Sequence, residues 1–190
     1  MRLLAILAAV AALAAGCATV VVRDEPRRVD VAPGAEVDSV RIAEALLDSE
    51  RGTCVQALEI EWKGKAFTAE AVVKGDGKSL TVVLLAPQMR LATLIVERPH
   101  RITWRREPRV PSSFPPEYAL AEVAFVHLPA EVLSSALGAE FSVADDGRRR
   151  TVLHRGGEIR SLERREGGEM IFANKSAGYT CRILPAETMQ

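Results

Sequence analysis

The sequence predicts an α+β fold in which a large antiparallel sheet carries a few short helices. Three observations lead there. Apolar residues alternate with polar ones in most segments between residues 53 and 184, which is the period of a strand with one face turned to a core. Turns rich in glycine and aspartate separate these segments by only a few residues, as hairpins require. Helical spacing shows in only a few short stretches.

Residues 37–49 place Val40, Ala43, Leu46 and Leu47 three or four apart, which makes a helix with one apolar side. From Thr53 the period becomes two. Cys54, Leu58, Ile60 and Trp62 share one face of a strand, with Thr53, Glu59 and Glu61 on the other. Phe67, Ala69, Ala71 and Val73 line one face of the next strand, and Gly75-Asp76-Gly77-Lys78 has the chemistry of a hairpin turn. Residues 80–86 and 91–96 are apolar on both faces, and in 101–105 Ile102 and Trp104 alternate with Arg101, Thr103 and Arg105. Short connections make these five strands an antiparallel meander. Pro108, Pro111, Pro115 and Pro116 then predict an irregular loop over 107–117. Residues 118–126 fit a helix only loosely and could equally form a strand. Residues 129–137 read as a helix, with Pro129 in its first turn, Val132, Leu133 and Leu137 as its stripe and Gly138 ending it. Strands resume at 140–144, 151–155, 158–163, 168–173 and 178–184. The expectation is about nine strands with one to three short helices.

The first residues read as an address. Arg2 is followed by the apolar run 3–13 and then Ala14-Ala15-Gly16-Cys17. Such a run is too short for the roughly 20 residues of a membrane-spanning helix but suits the core of a signal peptide. Small residues ending at a cysteine resemble the lipobox of bacterial lipoproteins, although Ala14 stands where leucine is commonest. The resemblance implies cleavage after residue 16 and diacylglycerol on Cys17. Ala18 rather than aspartate follows the cysteine, which in such lipoproteins implies the outer membrane, on its periplasmic face. Residues 17–36 mix Val, Arg, Asp and two prolines without a period and read as a flexible tether. The domain organisation is therefore a signal peptide over 1–16, a lipidated tether over 17–36 and one domain over 37–190.

Charge excludes one class of partner. Lys and Arg total 25 against 25 Asp and Glu, and no stretch is basic enough to follow a phosphate backbone, so nucleic acid is not expected. Catalytic chemistry finds little support. His100, His127 and His154 lack the close spacing of a zinc site. No Gly-x-Ser-x-Gly elbow and no phosphate-cradling loop occur, and no base is announced for Cys54 as a nucleophile. The expectation is a protein that is not an enzyme and needs no cofactor or metal. Cys54 and Cys181 are either a disulfide of an oxidising periplasm or two buried thiols that never meet. Arg148-Arg149-Arg150 and Arg164-Arg165 read either as solvated hairpin ends or as a docking surface for anionic head groups or an acidic partner.

The two strands that are apolar on both faces need cover on both sides. Either a helix packs over the sheet, or the sheet curves around an apolar cavity, as barrel-like sheets do.

From Ser79 onward the sequence resembles a family of bacterial outer-membrane lipoproteins that carry a domain of unknown function and are often encoded beside aryl-polyene and other fatty-acid-like biosynthesis genes. The stretches that carry the resemblance are Leu80-Thr81-Val82-Val83-Leu84-Leu85-Ala86-Pro87, Met89-Arg90-Leu91-Ala92-Thr93-Leu94, the proline-led segment ending His127-Leu128-Pro129, and Asn174-Lys175-Ser176-Ala177-Gly178-Tyr179-Thr180-Cys181-Arg182-Ile183. That family is thought to be similar to the lipoprotein carrier and receptor LolA and LolB. The resemblance implies a curved antiparallel sheet forming an incomplete, unclosed β-barrel, with short helices as plug and lid over an acyl-binding cavity. Trp62, Phe67, Leu84, Leu94, Trp104 and Phe172 are the candidate lining. On this reading the protein binds acyl or polyene chains in lipid or lipoprotein transfer, with a periplasmic carrier as delivering partner. The competing reading is a structural or assembly lipoprotein that binds another envelope protein through its sheet edge.

Overall fold

The computed structural model describes residues 19–23, 28–87, 89–98, 101–107 and 116–185. The expected signal peptide, Cys17, His100 and most of the proline-rich loop lie outside the described residues.

The strands are β1 (Thr19–Arg23), β2 (Arg28–Ala32), β3 (Ala35–Asp38), β4 (Arg51–Trp62), β5 (Lys65–Asp76), β6 (Ser79–Ala86), β7 (Met89–Glu97) and β8 (Arg101–Arg106), followed by β9 (Phe141–Asp145), β10 (Arg149–His154), β11 (Gly157–Arg164), β12 (Met170–Asn174) and β13 (Tyr179–Pro185). Helix α1 (Ser39–Ser49) precedes β4, and α2 (Pro116–His127) and α3 (Ala130–Leu137) link β8 to β9. Eleven strands form one sheet in the order β1-β8-β7-β6-β5-β4-β13-β12-β11-β10-β9, while β2 and β3 form a separate hairpin. Every pairing is antiparallel. The sheet is unclosed, with β1 and β9 as its edges, so the α+β, open-barrel expectation stands at that level.

The tether expected over 17–36 is corrected by β1, β2 and the start of β3. Val31 and Ala35 are buried in the core, and β1 pairs with β8 from Thr19↔Arg106 to Arg23↔Ile102. Edge pairing needs only backbone N–H and C=O groups, which every residue offers whatever its side-chain period. Residues 118–126, ambiguous in sequence, belong to α2. Leu120, Ala121, Ala124 and Phe125 form one buried face, and Ala119, Val123, Val126 and His127 around them are half-buried, so no wide polar face sets off an apolar stripe.

Local chemistry sets the ends of α1. The Asp38 carboxylate accepts from the Val40 N–H at 2.9 Å and caps the helix start. At the other end the chain turns directly into β4, and the Glu50 carbonyl lies over β5. A Cβ on Gly75 would stand 2.5 Å from that oxygen, so glycine is what lets α1 settle onto this rim. Because Gly75 shares its face with Val73 and Ala71, α1 sits on the concave side.

Candidate functional site: an apolar cavity beside a charged plug

Strand alternation places one continuous apolar surface on the concave face. Registers align Val73, Val82, Leu94 and Trp104 in one row across β5–β8, and Gln56, Ala71, Leu84 and Ala92 in the next. Leu58, Ile60 and Trp62 continue this face along β4, opposite Ile183, Cys181 and Tyr179 of β13. Between this surface, α2 and the β2–β3 hairpin lies a cavity of about 620 Å³, a volume typical of small-molecule sites. All six sequence-predicted lining residues, Trp62, Phe67, Leu84, Leu94, Trp104 and Phe172, border it. Leu94 and Trp104 are fully buried behind it, and Phe172 packs its ring 5.3 Å from that of Phe125 on α2. Trp62 and Phe67 stand at the rim and are exposed. The Trp104 indole N–H has no hydrogen-bond partner among the described residues.

The two readings of the doubly apolar strands are both realised, in different rows. Leu80 and Val96 are closed over at the α1 end, whereas Val82 and Leu84 face the cavity. On the opposite face Val83, Leu85 and Ile95 are half-buried.

The polar groups gather where α2 meets the second half of the sheet. Glu122, which borders the cavity, accepts at Oε1 from Arg160 Nη2 (2.6 Å), Arg160 Nε (3.0 Å) and Asn174 Nδ2 (3.0 Å), and at Oε2 from the Tyr179 hydroxyl (2.8 Å). Arg160 is 3% exposed and Asn174 1%. A buried guanidinium tolerates its desolvation only with such an arrangement of partners. Arg150, also buried, donates through Nη1 to the carbonyls of Phe125 (2.8 Å) and Leu128 (2.7 Å), and through Nε to Asp145 (2.7 Å). It thereby satisfies carbonyls at the C-terminal end of α2 that the helix itself leaves open. Arg164 donates to both Asp145 oxygens, at 2.9 and 3.1 Å.

Arg150 meets neither expectation for the arginine runs, since it is buried against the end of α2, whereas Arg164 is partly exposed at the hairpin end and bonds Asp145 and the Gly147 carbonyl. Arg149 pairs with Glu158 at 3.3 Å, and Arg165 with Glu163 at 3.3 Å. Sequence reading missed Glu122, Arg160, Asn174, Tyr179 and Asp145 as a network. Two signals were present. Glu122 is a lone carboxylate inside the apolar run 119–126, and Arg160 shares the inward face of its strand with Leu162.

The disulfide is corrected. Both thiols are free. β4 and β13 are neighbours, but Cys181 lies opposite Ile60, six residues along from Cys54. At about 3.3 Å per residue the two stand roughly 20 Å apart, well outside the reach of a disulfide. Burial pushes the Cys181 thiol up to about 12, with the Glu122 carboxylate adding to it, and burial followed by Glu50 also raises Cys54. Neither thiol is therefore poised as a nucleophile.

His127 borders the cavity with Nδ1 3.6 Å from a Glu50 carboxylate oxygen. Burial pushes its imidazole below the ordinary value against the opposing pull of Glu50. His154 lies 3.5 Å from Glu140. Among the described residues no group of three or more His, Cys, Asp or Glu side chains could hold a metal ion, and no helix is long and apolar enough to cross a membrane.

Comparison with known proteins adds a family. No curated protein matches the chain. Among solved structures it is similar to a DUF1329 family protein from Desulfovibrio piger ATCC 29098, with 10% identity over 76% of this chain and 88% of that one and a TM-score of 0.34. The model of a family described as "Protein of unknown function (DUF3261)" matches residues 53–187, a span that takes in the sheet from β4 onward together with α2 and α3, and the chain belongs to that family.

Proposed function

We propose that the protein holds the hydrocarbon chain of a lipid-like molecule in the cavity between the sheet and α2, without making or breaking a covalent bond. On this reading it is anchored by lipid on Cys17 to the periplasmic face of the outer membrane and serves the transfer of lipids or lipoproteins there. The observation that carries the reading is the cavity itself: about 620 Å³ walled on the sheet side by Val82, Leu84, Leu94, Leu58 and Ile60. Each methylene moved from water into such a site contributes about 0.8 kcal/mol, before the costs of association are subtracted. The LolA- and LolB-like architecture of an unclosed barrel around a helical plug belongs to the same proposal, with α2 as the plug. An assembly role through a sheet edge would need no cavity.

Native mass spectrometry of protein taken from its own envelope tests the ligand. An adduct with the mass of an acyl or polyene lipid is expected, and a protein that is always empty overturns the reading. The anchor has its own test. Cys17→Ser should move the protein from salt-washed membranes to the soluble fraction, and retention with unchanged mobility would sink the lipoprotein claim.

A further inference from the structure

We infer that the rim of the cavity formed by the β4–β5 hairpin faces an anionic lipid bilayer, with Trp62 and Phe67 entering its interface and Lys63 and Lys65 meeting its phosphates. The inference adds an orientation and a contact surface to the membrane location proposed above. It does not require that the cavity hold a lipid.

Every residue from 61 to 68 is exposed, so the hairpin end projects from the body of the protein. Trp62 is 38% exposed and Phe67 47%, and both belong to the few large hydrophobic side chains left in solvent among the described residues. Register puts them on one face, with Trp62 opposite Lys65 and Phe67 opposite Ile60. The turn between them is tight: Lys63 and Gly64 both have positive φ, 51° and 70°, the backbone of a two-residue hairpin connection. Lys63 Nζ stands 4.8 Å from the centre of the Trp62 ring. Aromatic rings beside lysines, on a short rigid projection, are the composition of an interfacial anchor. Glu61 is the one carboxylate in this span and falls on the opposite face from Trp62, so the lysines outnumber it.

A second observation comes from the other end of the sheet. The register Thr19–Arg106–Ala92–Leu84–Ala71–Gln56 crosses six strands. From that row β4 runs on toward Trp62, and β1 runs backward in the same direction toward its own first residue. The first residue of β1 therefore points toward the end of the sheet that carries the aromatic hairpin. Only Ala18 separates Thr19 from Cys17 in the sequence, so the anchor proposed above joins the chain next to β1.

The test uses the mature chain expected from cleavage, residues 17–190 carrying Cys17→Ser, sedimented with vesicles of phosphatidylethanolamine and phosphatidylglycerol. The protein should pellet with these vesicles and much less with phosphatidylcholine. Trp62→Ser with Phe67→Ser should lower the partition coefficient by more than about tenfold. Lys63→Gln with Lys65→Gln should lower it by about fivefold per lysine on the anionic vesicles. Unchanged urea midpoints establish that the exposed substitutions leave the fold intact. Failure of the parent to pellet, or pelleting of both double variants to the same extent as the parent, overturns the inference. The lysine pair does not border the cavity, so its variant separates the two proposals. Vesicle binding without any lipid adduct sinks the ligand reading alone, and an adduct without vesicle binding sinks the docking surface alone.

Discussion

On the concave face of β10–β13, the side chains of Arg150, Arg160, Leu162 and Phe172 are almost wholly buried, and α2 lies over them through Glu122, Phe125 and the carbonyls that Arg150 caps. On β4–β6 of the same sheet Leu58, Ile60, Val82 and Leu84 are only half-buried, and they look into the cavity. One half is plugged and polar beneath its plug. The other is open and almost purely apolar. The difference teaches where each kind of energy is held. Charge is concentrated where a helix must be fixed in position, because a buried, fully partnered network is costly to disturb. The half that faces the cavity carries no such constraint, and its uncovered apolar surface costs about 25 cal/mol per Å² unless something shields it.

The largest expected effect strikes the plug. Glu122→Leu takes from Arg160 the carboxylate that accepts two of its hydrogen bonds, and from Asn174 and Tyr179 one each. Breaking one side of a buried pair costs about 3–5 kcal/mol, to be measured by urea unfolding. A loss below about 1 kcal/mol would mean that the network does not hold α2, and the contrast between the halves would fail at its polar end.

A matched pair of leucines sharpens the apolar end. Leu162 is fully buried under the plug, so Leu162→Ala should cost about 2–5 kcal/mol. Leu84 already borders empty space, and its truncation removes less packing. Leu84→Ala should cost about 1 kcal/mol while enlarging the cavity. Equal losses at the two positions would show that the open half is packed as tightly as the plugged one.

Much of this contrast was legible in the residues. Alternation put Trp62, Phe67, Leu84, Leu94, Trp104 and Phe172 on one face of their strands, and all six border the cavity, because a period of two fixes the face a side chain takes. What alternation cannot carry is partnership across the chain. Cys54 and Cys181 lie on adjacent strands, yet register keeps the thiols apart. Register follows from the sum of many pairings and not from either cysteine. Glu122 and Arg160 are 38 residues apart, and although each is set among apolar neighbours, neither names the other as its partner. The β1 pairing was hidden for another reason: Thr19–Arg23 holds four β-branched residues that suit a strand, but its partner β8 is met through backbone groups, which carry no side-chain period.

The smallest expected effects are in pH dependence, and they separate by window two contacts at the C-terminal end of α2: Asp145, held through Arg150, and His127, beside Glu50 and the cavity. Burial of Asp145 opposes its ionisation, but hydrogen bonds from Arg164 and Arg150 outweigh this and hold its carboxyl well below the usual carboxylate range. A carboxyl depressed in the folded state contributes stability that is fully present above the unfolded value, about 3.9. That stability is lost as pH falls toward the folded value. Between pH 5 and pH 2.5, Asp145→Asn should therefore flatten the acid decline of the urea midpoint relative to the parent. His127, at the cavity border, is also depressed, chiefly by burial. The folded protein takes up a proton there less readily than the unfolded chain, whose imidazole titrates at about 6.5. Stability tied to His127 is present above that pH and declines below it, so His127→Gln should remove a shallow step just under neutrality and leave the acid limb intact. If instead His127→Gln alters the acid limb, or Asp145→Asn the step near neutrality, the two contacts titrate as one unit, and the polar anchor of α2 extends to the cavity border.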